Sequence, residues 1–162
     1  MPIEVYRIDD RLIHGQVVVG WGQPLELAFI VLVDDDVAAS EWEQDLYRMG
    51  VPPEMQVHFE SVAGALARLA EYQQMTPPGL LLTGDTVTMR RLVEGGASIP
   101  RVNVGGLHHQ SERVPRLRYV FLTPEEEADL TAIASRGVDV AAQDLPGGSM
   151  VPLAALLSGR GE

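Results

Sequence analysis

The sequence predicts an α/β fold: one open, mostly parallel, doubly wound sheet with helices on both faces. Three observations carry that prediction. Strand-sized apolar runs alternate with stretches of helical period along the whole chain. The run Ala28–Val33 is apolar throughout, as a strand covered on both faces requires. Helix-capping residues (Ser61, Asp85 and Thr123) stand shortly after three of the runs.

The elements follow in order. Ile3–Ile8 alternates and reads as the first strand. The loop from Asp9 to His14 comes next, and the apolar segment after Gly15-Gln16 reads as a first helix with His14 at its start. Ala28–Val33 is the second strand and Met55–Phe59 the third. Ser61 then caps a helix whose Val62, Leu66 and Leu69 share one face, with Ala65 beside them. Gly79–Thr83 is a fourth strand. Asp85 caps a helix that carries Val87, Leu92 and Val93 inward and stops at Gly95-Gly96. Arg101–Val104 and Arg118–Leu122 read as two further strands. Thr123-Pro-Glu-Glu126 combines a cap, a proline in the first turn and a capping-box glutamate, and its helix ends at Gly137. Val138–Ala141 is the closing strand, and Leu153–Leu157 a short helix before a frayed tail. No repeat or linker divides the chain, so residues 1–162 read as a single domain large enough to bury a core.

Composition narrows the function. The chain has 162 residues, no cysteine and a formal net charge of -11. Without cysteine there is no disulfide, iron–sulfur centre or thiolate metal site. The acidic balance argues against a nucleic-acid partner, which selects a basic face. All basic residues are arginines, so neither a Schiff-base lysine nor a Walker phosphate loop is present. No run approaches the roughly 20 apolar residues of a membrane span, and no signal-like segment opens the chain, which points to a cytoplasmic location.

In doubly wound sheets, chemistry collects at the carboxyl ends of the strands. The loops there carry Asp9–Gln16, Asp34–Asp36, Thr83–Asp85 and Asn103–Gly106. The first is the richest. An imidazole at a helix N-terminus is biased toward its neutral, nucleophilic form, and an added phosphoryl group meets unpaired backbone N–H donors there. Arg11, three residues earlier, supplies a planar fork for phosphate oxygens.

The segment Arg7-Ile-Asp-Asp-Arg-Leu-Ile-His14-Gly-Gln-Val resembles the phosphorylation-site segment of the IIB components of the mannose/fructose/sorbose branch of the bacterial sugar phosphotransferase system. Val33-Asp-Asp-Asp-Val-Ala38 is similar to that family's Asn-Asp-Glu-Val-Ala pattern, with Asp34 in place of the asparagine. Asn103-Val-Gly-Gly106 matches its turn, and Gly137-Val-Asp-Val with Gln143-Asp-Leu-Pro146 resembles its closing strand. The resemblance implies a seven-stranded sheet and a phosphohistidine–sugar phosphotransferase component. His14 then accepts a phosphoryl group through Nδ1 from a IIA domain and passes it to sugar held by the membrane IIC/IID components. No cofactor or metal is implied, the sugar is chosen by the membrane components, and homo-oligomers stay open. A regulatory relative, whose phosphorylated state is read by protein contact, is the alternative; IIC and IID genes nearby favour transport.

Within that reading, Asp9 or Asp10 orients the second nitrogen of His14 while the other holds Arg11 by an ion pair. Gly15 and Gln16 support the phosphate, Gln16 as a donor or as a helix cap. Arg7 and Arg11, extended by Arg113 or Arg116, form the positive zone that a phosphorylated donor needs. His108-His109 is expected to be loop rather than metal site, because adjacent residues diverge and no third ligand follows. Asp34–Asp36 is expected to cap a helix, Gly105-Gly106 to make a tight turn, and Trp21 and Trp42 to pack in the core or at its edge.

Overall fold

The computed structural model describes residues 3–158; the terminal tail expected to fray, residues 159–162, lies outside them. Seven strands form the main sheet in the order β3-β2-β4-β1-β5-β8-β9. These are β3 (Gln56–Glu60), β2 (Phe29–Val33), β4 (Gly79–Thr83), β1 (Ile3–Ile8), β5 (Arg101–Val104), β8 (Asp139–Ala142) and β9 (Val151–Pro152). All neighbours pair in parallel except β9, which runs antiparallel to β8 at the edge. The first residue beyond β1, Asp9, donates its backbone N–H to the Thr83 carbonyl at 2.9 Å, and Gly105 N–H donates to the Ile8 carbonyl at 2.7 Å. The carboxyl ends of β4, β1 and β5 are thus stitched together at the point where strand order reverses, the crevice of doubly wound sheets.

Period-two alternation sorts the core. Phe29, Val31 and Val33 face one layer, which packs against α3 (Val62–Gln73), α4 (Thr86–Glu94), α5 (Pro124–Ala134) and α6 (Leu153–Ser158). Ile30 and Leu32 face the other, covered by Ile13, Val17, Val18 and Trp21 of the segment after the first loop and by Val37 of α1 (Asp35–Ala38). Leu80, Leu81 and Leu82 of the central β4 are fully buried, each side chain worth about 1.5–3 kcal/mol over leaving it exposed.

Several expectations need correction. Arg118–Leu122 does not join the main sheet: β6 (Val114–Leu117) and β7 (Val120–Leu122) form a separate antiparallel hairpin whose turn is Arg118-Tyr119. The seventh strand is instead the two-residue β9. The segment after His14 is a six-residue π-helical turn, Gln16–Trp21, in which Gly22 N–H reaches back five residues to Val17 carbonyl. Val87 lies outside the buried face of α4, where Met89, Leu92 and Val93 pack. A further helix, α2 (Glu41–Met49), starts at Ser40, whose hydroxyl accepts Glu43 N–H; Ser40-Glu-Trp-Glu43 was its available signal. Trp42 sits on that helix 71% exposed, not in the core.

At the β3 edge, Tyr72 of α3 donates its hydroxyl to Glu60. Burial first, and then the Glu60 carboxylate, push the phenol up to about 12. Because the folded value exceeds that of an unfolded tyrosine, this contribution is complete below about pH 10 and is lost as pH rises toward 12. Denaturation midpoints measured from pH 9 to 12 should fall less steeply for Tyr72→Phe than for wild type. Equal slopes would assign the alkaline loss to other groups.

Candidate functional site

The loop after β1 is tight. Leu12 N–H closes on Asp9 carbonyl at 3.0 Å, and Leu12 adopts φ 58°, a left-handed conformation that costs a leucine about 1–2 kcal/mol. Its side chain lies over Gly84, where a Cβ would stand 2.8 Å from Leu12 Cδ2. This pinched turn brings His14 back over Asp9.

His14 is mostly buried, with 16% of its side chain exposed. Its Nδ1 accepts the Gln16 backbone N–H at 3.2 Å. A backbone N–H can only donate, so Nδ1 presents its lone pair to that N–H and the proton of the neutral ring belongs to Nε2. Nε2 lies 3.2 Å from Asp9 Oδ1, close enough for a charge contact though not aligned as a hydrogen bond.

Asp9 is fully buried and is the centre of the site. Oδ1 takes Arg11 N–H at 3.2 Å, and Oδ2 takes Gly106 N–H at 3.3 Å and faces Arg7 Nη2 at 3.5 Å. Burial by itself would raise the carboxyl, but His14, Arg7 and the Arg11 N–H together carry it below the usual carboxylate range. Asp9 therefore faces both His14 and Arg11, whose Nε is 3.6 Å from Oδ1. Asp10 does neither. It turns away to His108, at 2.6 Å from Nδ1, and to Arg113 at 3.1 Å.

Arg7 occupies a different place from the one expected. Its guanidinium is fully buried beneath the loop rather than open to an incoming phosphate. Arg7 and Asn103 are register partners on β1 and β5, and both point into the layer of the π-helical turn. Nη1 donates to Asn103 Oδ1 and to Gln143 carbonyl at 2.8 Å, Nη2 donates to Asp144 carbonyl at 3.2 Å, and the group lies 4.6 Å from the centre of the Trp21 ring. Burial pulls its pKa down while Asp9 and Asp144 pull it back up. Gly105 and Gly106 are glycines for this packing: a Cβ on Gly105 would fall 2.4 Å from Arg7 Cζ, and one on Gly106 would fall 2.4 Å from His108 Cε1.

Two exposed cations remain at the rim. Arg11 is 44% exposed and donates to Gln16 Oε1 at 2.8 Å. Arg118, 83% exposed in the hairpin turn, lies 3.4 Å from Asp144. Arg113 and Arg116 do not extend this zone, since Arg113 is buried between Asp10 and Glu126 and Arg116 is paired with Glu127. Gln16 neither caps the helix through its side chain nor stands free for phosphate; it bridges Arg11 to Asp144. Gly15 is exposed, with open space where a Cβ would stand.

The remaining candidates have structural roles. Asp34 caps α1 through Val37 N–H, and Asp35 accepts Val62 N–H and pairs with Arg91. His109 stands edge-on to Phe121. Sequence reasoning missed Asp144, Gln143, Arg118 and the platform role of Trp21. Gln143-Asp-Leu-Pro146 stood out only as a resemblance, and no periodicity announces that it returns to the first loop. The chemistry of the assembled groups is that of an unprotonated imidazole nitrogen, a buried carboxylate beside the other ring nitrogen and a partly exposed cation on the same carboxylate, a set that suits phosphoryl transfer.

A family profile described as PTS system sorbose subfamily IIB component matches residues 3–161. The N-acetylgalactosamine-specific phosphotransferase enzyme IIB component 1 of Escherichia coli K12 is 35% identical over 147 residues, 87% of this chain and 89% of that one. The PTS system mannose-specific EIIAB component of the same organism is 31% identical over 140 residues, 86% of this chain but 43% of that longer protein. Among solved structures, manxB from Thermoanaerobacter tengcongensis superposes with a TM-score of 0.83 at 32% identity, covering 96% of this chain and 95% of that one.

Proposed function

This chain belongs to the sorbose-subfamily IIB components of the sugar phosphotransferase system, and we propose that His14 is its phosphoryl acceptor. The family makes it a phosphocarrier of mannose-family sugar uptake and a phosphotransferase enzyme component. In the finer reading, the 162 residues act as one IIB domain on the cytoplasmic side. The domain receives the group from IIA phosphohistidine and delivers it to sugar at the IIC/IID permease, on which it docks peripherally. Among the described residues, no helix is long and apolar enough to cross a membrane, which accords with a carrier that visits the permease.

One observation carries the assignment: Nδ1 of His14 faces a backbone donor while Nε2 faces the buried Asp9. The Gln16 N–H swings from Nδ1 to a phosphoryl oxygen, and the Nδ1 lone pair so released attacks phosphorus as the donor's N–P bond breaks, the donor imidazole keeping the bonding electrons. The proton on Nε2 stays in place, so the phosphorylated ring is cationic and Asp9 stabilises it. Arg11 and the Gln16 N–H meet the phosphoryl oxygens, and Arg7 keeps Asp9 ionised from below. In transfer onward, a sugar hydroxyl oxygen attacks phosphorus as the His14 N–P bond breaks; the bonding pair returns to Nδ1, the ring becomes neutral again, and the hydroxyl proton passes to solvent.

The test is incubation with phosphorylated IIA, followed by mapping of the acid-labile label, which should be confined to His14 Nδ1. Label at another residue would overturn the assignment. Arg11→Lys keeps the charge but loses the fork, so transfer from IIA should slow by about tenfold, the worth of one charge-assisted hydrogen bond. Its melting temperature should move by no more than about 2 °C, as befits an exposed loop residue. A wild-type rate would leave Arg11 without a part in the transfer.

A further inference from the structure

The rim of the site contains a four-residue polar chain with an arginine at each end: Arg11, Gln16, Asp144 and Arg118. We infer that Asp144 is a positioning residue for phosphoryl transfer, acting through the amide of Gln16 to set the guanidinium of Arg11. The inference rests on the reading of His14 as acceptor and adds to it a residue 128 positions away from Gln16.

The two ends of a carboxamide are unlike, one donating and the other accepting. Gln16 Nε2 donates to Asp144 Oδ1 at 2.6 Å and lies 3.3 Å from Asp144 carbonyl oxygen, so both acceptors on Asp144 address the amide nitrogen. Gln16 Oε1 is then obliged to point the other way, where it accepts Arg11 Nη2 at 2.8 Å. Turning the amide over would set its oxygen against a carboxylate and a carbonyl, and its NH2 against a guanidinium. Every contact would then be repulsive. Asp144 thus selects one of two amide orientations, and only that one offers Arg11 an acceptor.

Asp144 is itself fixed, and by the same group that holds Asp9. Its carbonyl accepts Trp21 Nε1 at 3.0 Å and Arg7 Nη2 at 3.2 Å, while its second carboxylate oxygen faces Arg118 at 3.4 Å. Arg7 therefore sets the carboxylate under His14 and, through the Asp144 backbone, the anchor from which Arg11 is aimed. The carbonyl contacts belong to the main chain, so a change of the Asp144 side chain leaves them in place. Loss of the carboxylate removes the shorter of the two contacts that orient Gln16, leaving the 3.3 Å one to the Asp144 carbonyl, and so loosens the amide and leaves Arg11, already 44% exposed, to sample solvent. Re-ordering one such side chain during transfer slows the reaction by about three- to tenfold.

The experiment is a cycle of second-order transfer rates from phosphorylated IIA to wild type, Asp144→Ala, Arg11→Ala and the double variant, with Asp144→Asn as the conservative case. Asp144→Ala should be about three- to tenfold slower than wild type. Asp144→Asn, which still presents an acceptor oxygen to Gln16, should stay within about twofold. In the Arg11→Ala background, Asp144→Ala should change nothing further, a non-additivity that a merely structural role would not produce. Equal slowing in both backgrounds, an unaffected Asp144→Ala, or an Asp144→Asn as slow as the alanine variant would each overturn the inference. Label mapped away from His14 in wild type would instead remove the acceptor reading, and it is seen in the mapping rather than in the cycle.

Discussion

Exchanging His14 for alanine should abolish phosphoryl acceptance from IIA, down to background, while the protein still folds. The side chain's one structural partner of consequence is Asp9, which keeps Arg7, the Gly106 N–H and the Arg11 N–H after the ring is gone. The cost in stability should therefore be about 1 kcal/mol, a lowering of roughly 2–4 °C in melting temperature. None of the other histidines can substitute. His58 packs against Phe29 and Tyr72 with its pKa depressed by burial, His108 is engaged through Nδ1 by Asp10, and His109 rests on Phe121. Acid-labile, base-stable labelling of the variant and wild type, side by side with thermal melts, decides the matter. Label at wild-type level on any of those three would sink the assignment.

Arg7→Met should have the largest effect on stability. The substitution conserves much of the apolar stem but leaves Asp9 without its buried cation, and leaves Asn103 Oδ1 and the Gln143 carbonyl without a donor, while the Asp144 carbonyl keeps Trp21 Nε1. Breaking a buried pair from one side costs about 3–5 kcal/mol, and at this chain length that lowers the melting temperature by roughly 10 °C. Transfer should fail as well, because an Asp9 that protonates or moves no longer supports the His14 ring. The double variant Arg7→Met/Asp9→Asn separates the two consequences: removing the stranded charge should recover part of the stability and none of the transfer. An Arg7→Met protein that melts with wild type would show that the carboxylate needs no buried partner.

Much of the sheet was legible because its inner strands are apolar runs with polar loops at their ends, and β1 to β5 and β8 fall within a residue or so of the segments read from the sequence. The edge was not. β9 is two residues, one of them proline, and nothing in Val151-Pro152 marks a strand before Ala141 and Ala142 are there to pair with it. Arg118–Leu122 has the composition of a strand but pairs with its own neighbour across a turn. Helix α2 offers no core-facing apolar stripe to read, because none of its residues is buried and its Trp42, Leu46 and Met49 are exposed. In the site, the loop sequence disclosed His14 and the charges of Asp9 and Arg11 that the fold gathers there. It could not tell Asp9 from Asp10, since one residue of rotation in an irregular loop separates a carboxylate under the ring from one paired with His108 and Arg113. The burial of Arg7 follows from its place at the end of a central strand covered on both faces, where no solvent lies within reach.

The contacts of Arg7 also determine when in the life of the chain the site can exist. Its partners Asn103, Gln143 and Asp144 lie 96, 136 and 137 residues further on. Closing loops of that size comes late, after local helices and neighbouring strands have formed. A chain emerging from the ribosome thus has its histidine from the outset yet lacks the scaffold under it until β8 and the turn beyond are made and docked. The platform beneath His14 is complete only once β1 has met the turn that follows β8.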